Sequence, residues 1–207
     1  FGGNYPYHTF KPGVAQFEGG FSDEGVDSLL NLSSPIYSND AYVYVEDDWL
    51  ISPAWRANFG LHYSGYLVHT TYYNSLQPRA SLRYLLTDEW SVKGSYAMMN
   101  QYIHLLSNSG LSLPTDLWVS STERIKPQRS HQVALGSVRN ILQNKYEISA
   151  EVYYKRMLNL IEYKEGASFI TATDWQNNVV NDGIGNAYGL ELLFRKNEGQ
   201  TTGWIGY

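Results

Sequence analysis

Apolar and polar residues alternate along most of this chain. Trp55, Ala57, Phe59, Leu61 and Tyr63 share one parity, with Arg56, Asn58, Gly60 and His62 between them. The pattern recurs with Ala80, Leu82, Tyr84 and Leu86 against Ser81, Arg83 and Leu85, and with Trp90, Val92, Gly94, Tyr96 and Met98 against Ser91, Lys93, Ser95 and Ala97. It returns with Tyr146, Ile148, Ala150, Val152 and Tyr154 against Glu147, Ser149, Glu151 and Tyr153, and with Tyr188, Leu190, Leu192 and Phe194 against Gly189, Glu191 and Leu193. A period of two sends successive side chains to opposite faces of a β-strand. The first face carries no charge; the second carries Arg56, Arg83, Lys93, Glu147, Glu151 and Glu191. No stretch free of Gly and Pro sustains the i, i+3, i+4, i+7 stripe of an amphipathic helix.

The pattern predicts strands near 40–51, 54–67, 78–87, 90–102, 129–139, 146–163, 186–196 and 202–207. Links at 52–54, 87–89, 140–145 and 197–201 are short, and links at 68–77, 103–128 and 164–186 are long. Successive antiparallel hairpins then place every short turn at one end of the sheet and every long loop at the other. Residues 1–38, rich in Gly, Ser and Pro, read as a further long loop of the extracellular type, and 39–207 as a partial β-barrel domain.

A charge-free face is covered either by a second sheet or by lipid. The predicted strands match the ~9–11 residues that cross a bilayer at a tilt, whereas strands of globular proteins average ~5–6. Short turns at one end and long loops at the other are the arrangement of outer-membrane barrels. Trp49, Trp55, Trp90, Tyr146 and Phe194 lie beside the short turns, and Tyr63, Tyr102 and Tyr154 toward the long loops, as two interfacial girdles would require. The predicted fold is all-β: part of an antiparallel, up-and-down transmembrane β-barrel, about eight strands of a larger one. Phe59, Leu61, Leu82, Tyr84, Ile148, Val152, Leu190 and Leu192 are expected to face lipid. Arg56, His62, Arg83, Lys93, Glu147, Glu151 and Glu191 are expected to face the lumen. The alternative reading is a soluble β-barrel or β-sandwich acting as a binding or adhesion module.

Composition sharpens this picture. The chain is 17% charged, below the ~25% of soluble domains, yet 15% aromatic, with 18 Tyr. Its longest uninterrupted apolar run, Ala41–Val45, is far short of the ~20 residues of a spanning helix. The absence of Cys removes disulfides and thiolate nucleophiles, and a net charge of -5 gives no footing for nucleic acid. The chain opens on Phe1 without a signal peptide and stops at Tyr207 inside an aromatic run, which reads as an excerpt.

Chemical motifs are few. Gly183–Gly189 (GIGNAYG) resembles a dinucleotide fingerprint, but its last Gly falls one position late and a strand follows it, so a flexible loop entering a strand is expected. Glu46, Asp47 and Asp48 have the spacing of a calcium site, but alternation throws Asp47 to the opposite face. The five His residues show no metal-ligand spacing, so no metal or cofactor is expected. Glu147 and Glu151 lie ~13 Å apart along one strand, too far for a glycosidase pair acting from that strand. Neither a GxSxG elbow nor a P-loop occurs, and the chain is not expected to be an enzyme; an enzyme would need a Ser/His pair converging near a lumen mouth. The loop 103–128, with Tyr102, His104, Asp116, Trp118 and Arg124, is the candidate for ligand contact. Packing of that loop on its neighbours is the equal alternative.

Four segments together carry a family resemblance: Gln77–Leu106, Leu113–Gly136, Tyr146–Gly166 and Gly183–Tyr207. A Pro-Arg opening one strand, a Pro-Gln before the next, Tyr-Tyr-Lys with a nearby Met, and Tyr-Gly-Leu-Glu after a Gly-containing loop follow in order. This series resembles the C-terminal barrel of TonB-dependent outer-membrane receptors, particularly of the Bacteroidetes type. The resemblance implies a barrel of roughly 22 strands with an N-terminal plug, in the outer membrane of a Gram-negative cell. It implies import of a scarce ligand such as an iron chelate, cofactor or glycan. The implied partners are outer-membrane lipid, the plug of the same full-length chain, the TonB-ExbB-ExbD system acting through segments absent here, and a surface lipoprotein.

Overall fold

A computed structural model describes residues 1–10, 35–106, 117–165 and 175–207. Its elements are β1 (Gly2–Asn4), β2 (Tyr7–Phe10), β3 (Ile36–Leu50), β4 (Trp55–Val68), β5 (Thr71–Thr87), β6 (Trp90–Gln101), β7 (Ile103–Leu106), β8 (Leu117–Ser120), β9 (Gln128–Ile141), β10 (Tyr146–Tyr163), a 3-10 turn (Trp175–Asn178), β11 (Val179–Lys196) and β12 (Gly203–Gly206). Ten of the strands form one antiparallel meander in the order β1-β3-β4-β5-β6-β9-β10-β11-β12, with β2 beside β1 on the same edge of β3. The remaining two, β7 and β8, form a separate hairpin. The sheet is open, since β1 and β12 do not pair with each other.

Register confirms the two faces. Phe59 lies opposite Ala80, Ala80 opposite Tyr96, and Tyr96 opposite Val133; Val133 then meets Tyr154, and Tyr154 meets Tyr188. The apolar parity of each strand therefore falls on one continuous surface. That surface is unburied: Val152 is 48% and Leu190 49% exposed. Charge on it sits toward the strand ends, at Asp47, Arg139 and Lys196 near the short turns and at Arg129 and Arg156 near the loops. The buried core lies instead at the loop end of the polar face, where Ile36, Tyr66, Val68, Tyr102, Leu106, Val119, Ile125, Trp175 and Val179 cluster.

Several expectations need correction. The stretch 68–77 is not a long link, because β4 and β5 join through His69 and Thr70, with His69 at φ 50. β11 begins at Val179, so the GIGNAYG segment is strand and not loop. Its glycines leave room for side chains of β10: a Cβ at Gly189 would lie 2.8 Å from the Tyr153 ring, and one at Gly185 2.7 Å from Leu160. Part of 1–38 belongs to the wall, since Gly2–Asn4 and Tyr7–Phe10 pair with β3. The loop 103–128 contains the β7–β8 hairpin.

β10 and β11 each have 18 residues, a length of ~59 Å at ~3.3 Å per residue. Roughly half of that covers a tilted bilayer crossing, so the loop ends of these strands extend past the apolar band and carry the capped region above it.

Candidate functional site

Five charged side chains of the polar face lie in one cross-strand row. Arg56 is the register partner of Arg83, Arg83 of Lys93, Lys93 of Gly136, Gly136 of Glu151, and Glu151 of Glu191. Alternation predicted that these residues share a face, but only pairing register shows that three cations stand together and two carboxylates together. Gly136 separates the two groups, and a Cβ there would come within 3.1 Å of Glu151 Oε2. A cavity of about 370 Å³ opens over the cationic half, lined by Glu46, Asp48, Arg56, Asn58, Ser81, Arg83 and Lys93.

Each carboxylate of the Glu46–Asp48 cluster has its own partner. Asn58 Nδ2 donates to Glu46 at 2.8 Å, and Arg56 Nη2 and Nε hold Asp48 at 2.5 and 2.8 Å. Asp47, on the apolar face, accepts from the Trp49 indole N–H. The chain thus satisfies these groups individually and does not converge them on a cation. Glu147 lies 3.9 Å from Arg195. His62 shares the polar face and stacks on Tyr42 at 5.0 Å.

Above this row, the β7–β8 hairpin and residues 121–125 fold onto the polar face. The Tyr66 and Tyr102 rings stack at 4.7 Å. Tyr66 Oη donates to Ser38 Oγ at 2.7 Å and lies 2.6 Å from Ser120 Oγ. Tyr102 Oη lies 2.7 Å from Ser64 Oγ, which also accepts from Gln77 Nε2 at 2.8 Å. Tyr73 Oη donates to the Thr122 carbonyl at 2.7 Å, and Arg124 Nη1 to Asn177 Oδ1 at 2.7 Å. The Tyr66–Ser120 bond fastens the hairpin to β4, the ring stack and the Ser64 bond hold Tyr102 at its base to the same strand, Tyr73 ties residue 122 to β5, and Asn177 ties residue 124 to the 3-10 turn.

The five loop candidates separate accordingly. Tyr102 and His104 are buried in the cap, Trp118 is 58% exposed, Arg124 is exposed and bonded to Asn177, and Asp116 lies outside the described residues. His104 Nε2 is 2.9 Å from Ser121 Oγ, the spacing of a nucleophile and its base. Both residues are buried, and among the described residues His104 Nδ1 has no partner and no acid orients the ring. Burial pushes the imidazole down to about 4, so His104 is neutral at pH 7 and serves packing. Sequence reading missed Tyr66, Ser38, Ser64, Gln77 and Ser120. The available signal was that the polar-face positions 64, 66, 75 and 77 are uncharged, as burial beneath a cap demands.

The family described as TonB dependent receptor-like, beta-barrel, matches residues 1–206. The chain belongs to this family. Its members are outer-membrane proteins of Gram-negative bacteria, and that is the location of this barrel. No curated protein sequence matches the chain. Among solved structures, the apoprotein form of the FrpB iron transporter from Neisseria meningitidis (F5-1 variant) is similar at 16% identity and TM-score 0.66, covering 99% of this chain and 32% of that one. The ferric-catecholate import receptor Fiu from E. coli K12 is similar at 14% identity and TM-score 0.55, covering 83% and 28%. The alcaligin outer-membrane receptor FauA from Bordetella pertussis is similar at 17% identity and TM-score 0.51, covering 84% and 31%. At these identities the likeness speaks for the fold. This receptor-family chain spans about a third or less of the length of these three structures.

Proposed function

We propose that this chain forms part of the barrel wall of a receptor that imports a scarce ligand across the outer membrane, driven by TonB-ExbB-ExbD. In this reading Phe59, Leu61, Leu82, Tyr84, Ile148, Val152, Leu190 and Leu192 face lipid. Arg56, His62, Arg83, Lys93, Glu147, Glu151 and Glu191 line the lumen against the plug of the same full-length chain. The observation that carries it is the unburied apolar face of the meander, backed by a charged row and by a loop hairpin folded over that row's side of the sheet. A soluble protein exposing so much contiguous apolar surface would aggregate, whereas a bilayer covers it.

An iron chelate is the favoured ligand class, because the similar solved structures are named for iron transport and ferric-catecholate import. Trp118 is the leading contact, since burial commits Tyr102 and His104 to the cap and an exposed indole offers a stacking surface for an aromatic chelator. Arg124 and Asp116 complete the candidate set, and a surface lipoprotein is a further partner. The test is uptake of a radiolabelled ferric catecholate by cells carrying the full-length receptor. Accumulation that requires both TonB and the proton gradient, and that falls in Trp118→Ala at unchanged receptor level, supports the reading. Accumulation that persists without TonB overturns it.

A further inference from the structure

The apolar face is not smooth. Near its loop end, Ala41 of β3 is the register partner of Gly65 of β4. A methyl group and a bare glycine backbone therefore lie together, with Val43, Tyr63, Leu67 and Tyr72 around them on the same face. They floor a groove of about 880 Å³, within the ~300–1,000 Å³ typical of small-molecule sites. One wall is made by Tyr63 and Tyr72, whose hydroxyls are 3.1 Å apart. Tyr72 leans across Gly65, where a Cβ would come within 2.5 Å of its hydroxyl, so the absence of a side chain there sets the position of this wall. The other wall is Tyr5, between β1 and β2, whose hydroxyl donates to Asn39 Oδ1 at 2.9 Å. Val43 and Leu67 flank the groove along the strands. With the three hydroxyls engaged by protein, the walls offer the gap mainly ring carbon.

We propose that this groove binds one acyl chain of an outer-membrane lipid. The proposal rests on the lipid-facing reading of this face, because the groove is continuous with it through Val43 and Tyr63. Among lipid tails there is no water to expel, so retention comes from close packing and not from the hydrophobic effect. A gap left empty forfeits dispersion contacts along both walls, and a flexible, unbranched chain regains them. Tyrosines suit this position for a second reason: their rings contact hydrocarbon while their hydroxyls tolerate headgroups.

The test is photocrosslinking of the full-length receptor in vesicles of phosphatidylethanolamine and phosphatidylglycerol, with a diazirine on the acyl chain of a phosphatidylethanolamine tracer. Adducts on peptides containing Tyr5, Tyr63 and Tyr72 are expected to exceed those around Leu190 and Leu192 several-fold. Filling the groove with Ala41→Phe, or more gently with Ala41→Leu, lowers them to the level of Leu190. Equal labelling of the two regions, labelling unchanged by both substitutions, or crosslinks to a second copy of the chain at Tyr63 would overturn the proposal. Labelling around Leu190 without enrichment at the groove defeats this inference alone, whereas no labelling in either region defeats the lipid-facing reading itself.

Discussion

The rings of Tyr66 and Tyr102 lie parallel, 4.7 Å apart with 1° between their planes, and join a strand of the wall to the base of a hairpin far along the chain. Both hydroxyls are bonded to serines, so the contact combines apolar stacking with satisfied polar groups. Replacing Tyr66 by Phe keeps the stack but strands the Ser38 hydroxyl, while Ser120 Oγ keeps its bond to the Ser121 carbonyl, at a cost of ~1–3 kcal/mol. Tyr102→Ala removes the stack and leaves a cavity, at ~3–5 kcal/mol. Limited proteolysis should detect faster cleavage in the loop 103–128 in both variants, with the greater effect in Tyr102→Ala and the barrel itself intact.

A second prediction concerns acid. The folded state holds His104 at about 4, below the ~6.5 of an unperturbed imidazole. Between those values the unfolded hairpin binds the proton more readily than the folded one, so docking weakens as pH falls. The contribution is complete above pH ~6.5 and is lost progressively down to about 4, amounting to ~3 kcal/mol. Amide exchange in β7 and β8 should accelerate over that window. In His104→Gln, which keeps a polar group beside Ser121, the pH dependence should disappear.

A third prediction concerns glycine in β11. Tyr153 covers Gly189, its register partner, and a Cβ there would lie 2.8 Å from the ring. Gly189→Val must displace that ring and should destabilise the β10–β11 pair by ~1–3 kcal/mol. In a Tyr153→Ala background the same substitution should cost far less, and urea unfolding of the four proteins in a double-mutant cycle measures the difference.

The lipid-facing assignment predicts a further asymmetry. Leu82→Arg or Val152→Arg should cost ~2–4 kcal/mol if the position lies near the bilayer midplane. Ser95→Arg, on the polar face, should cost much less. Folding into vesicles followed by denaturant titration compares the three.

The two faces and most of the long strands were legible because alternation around Leu82 and Val152 reports directly which side chains share a face of the sheet. Hairpin ends were not. The turn at His69 and Thr70 has none of the Asn-Gly or Asp-Gly chemistry that marks tight hairpins, and the paired Tyr72 and Tyr73 beyond it blur the period. Gly183, Gly185 and Gly189 read as a loop because glycine is flexible in isolation. In the sheet they are the spaces into which Leu160, Met157 and Tyr153 fit, and only cross-strand register reveals that. The charged row and the Tyr66–Tyr102 stack were hidden for the same reason: their members are far apart in the chain and meet only through pairing.

The most direct test of the account uses the lack of Cys in these 207 residues. Single Cys substitutions from 188 to 194 in β11 of the full-length receptor, spin-labelled in vesicles, report access to lipid-dissolved oxygen residue by residue. The account predicts high access at 188, 190, 192 and 194 and low access at 189, 191 and 193. Access that is uniform along the strand, or that peaks at the odd positions, would contradict it.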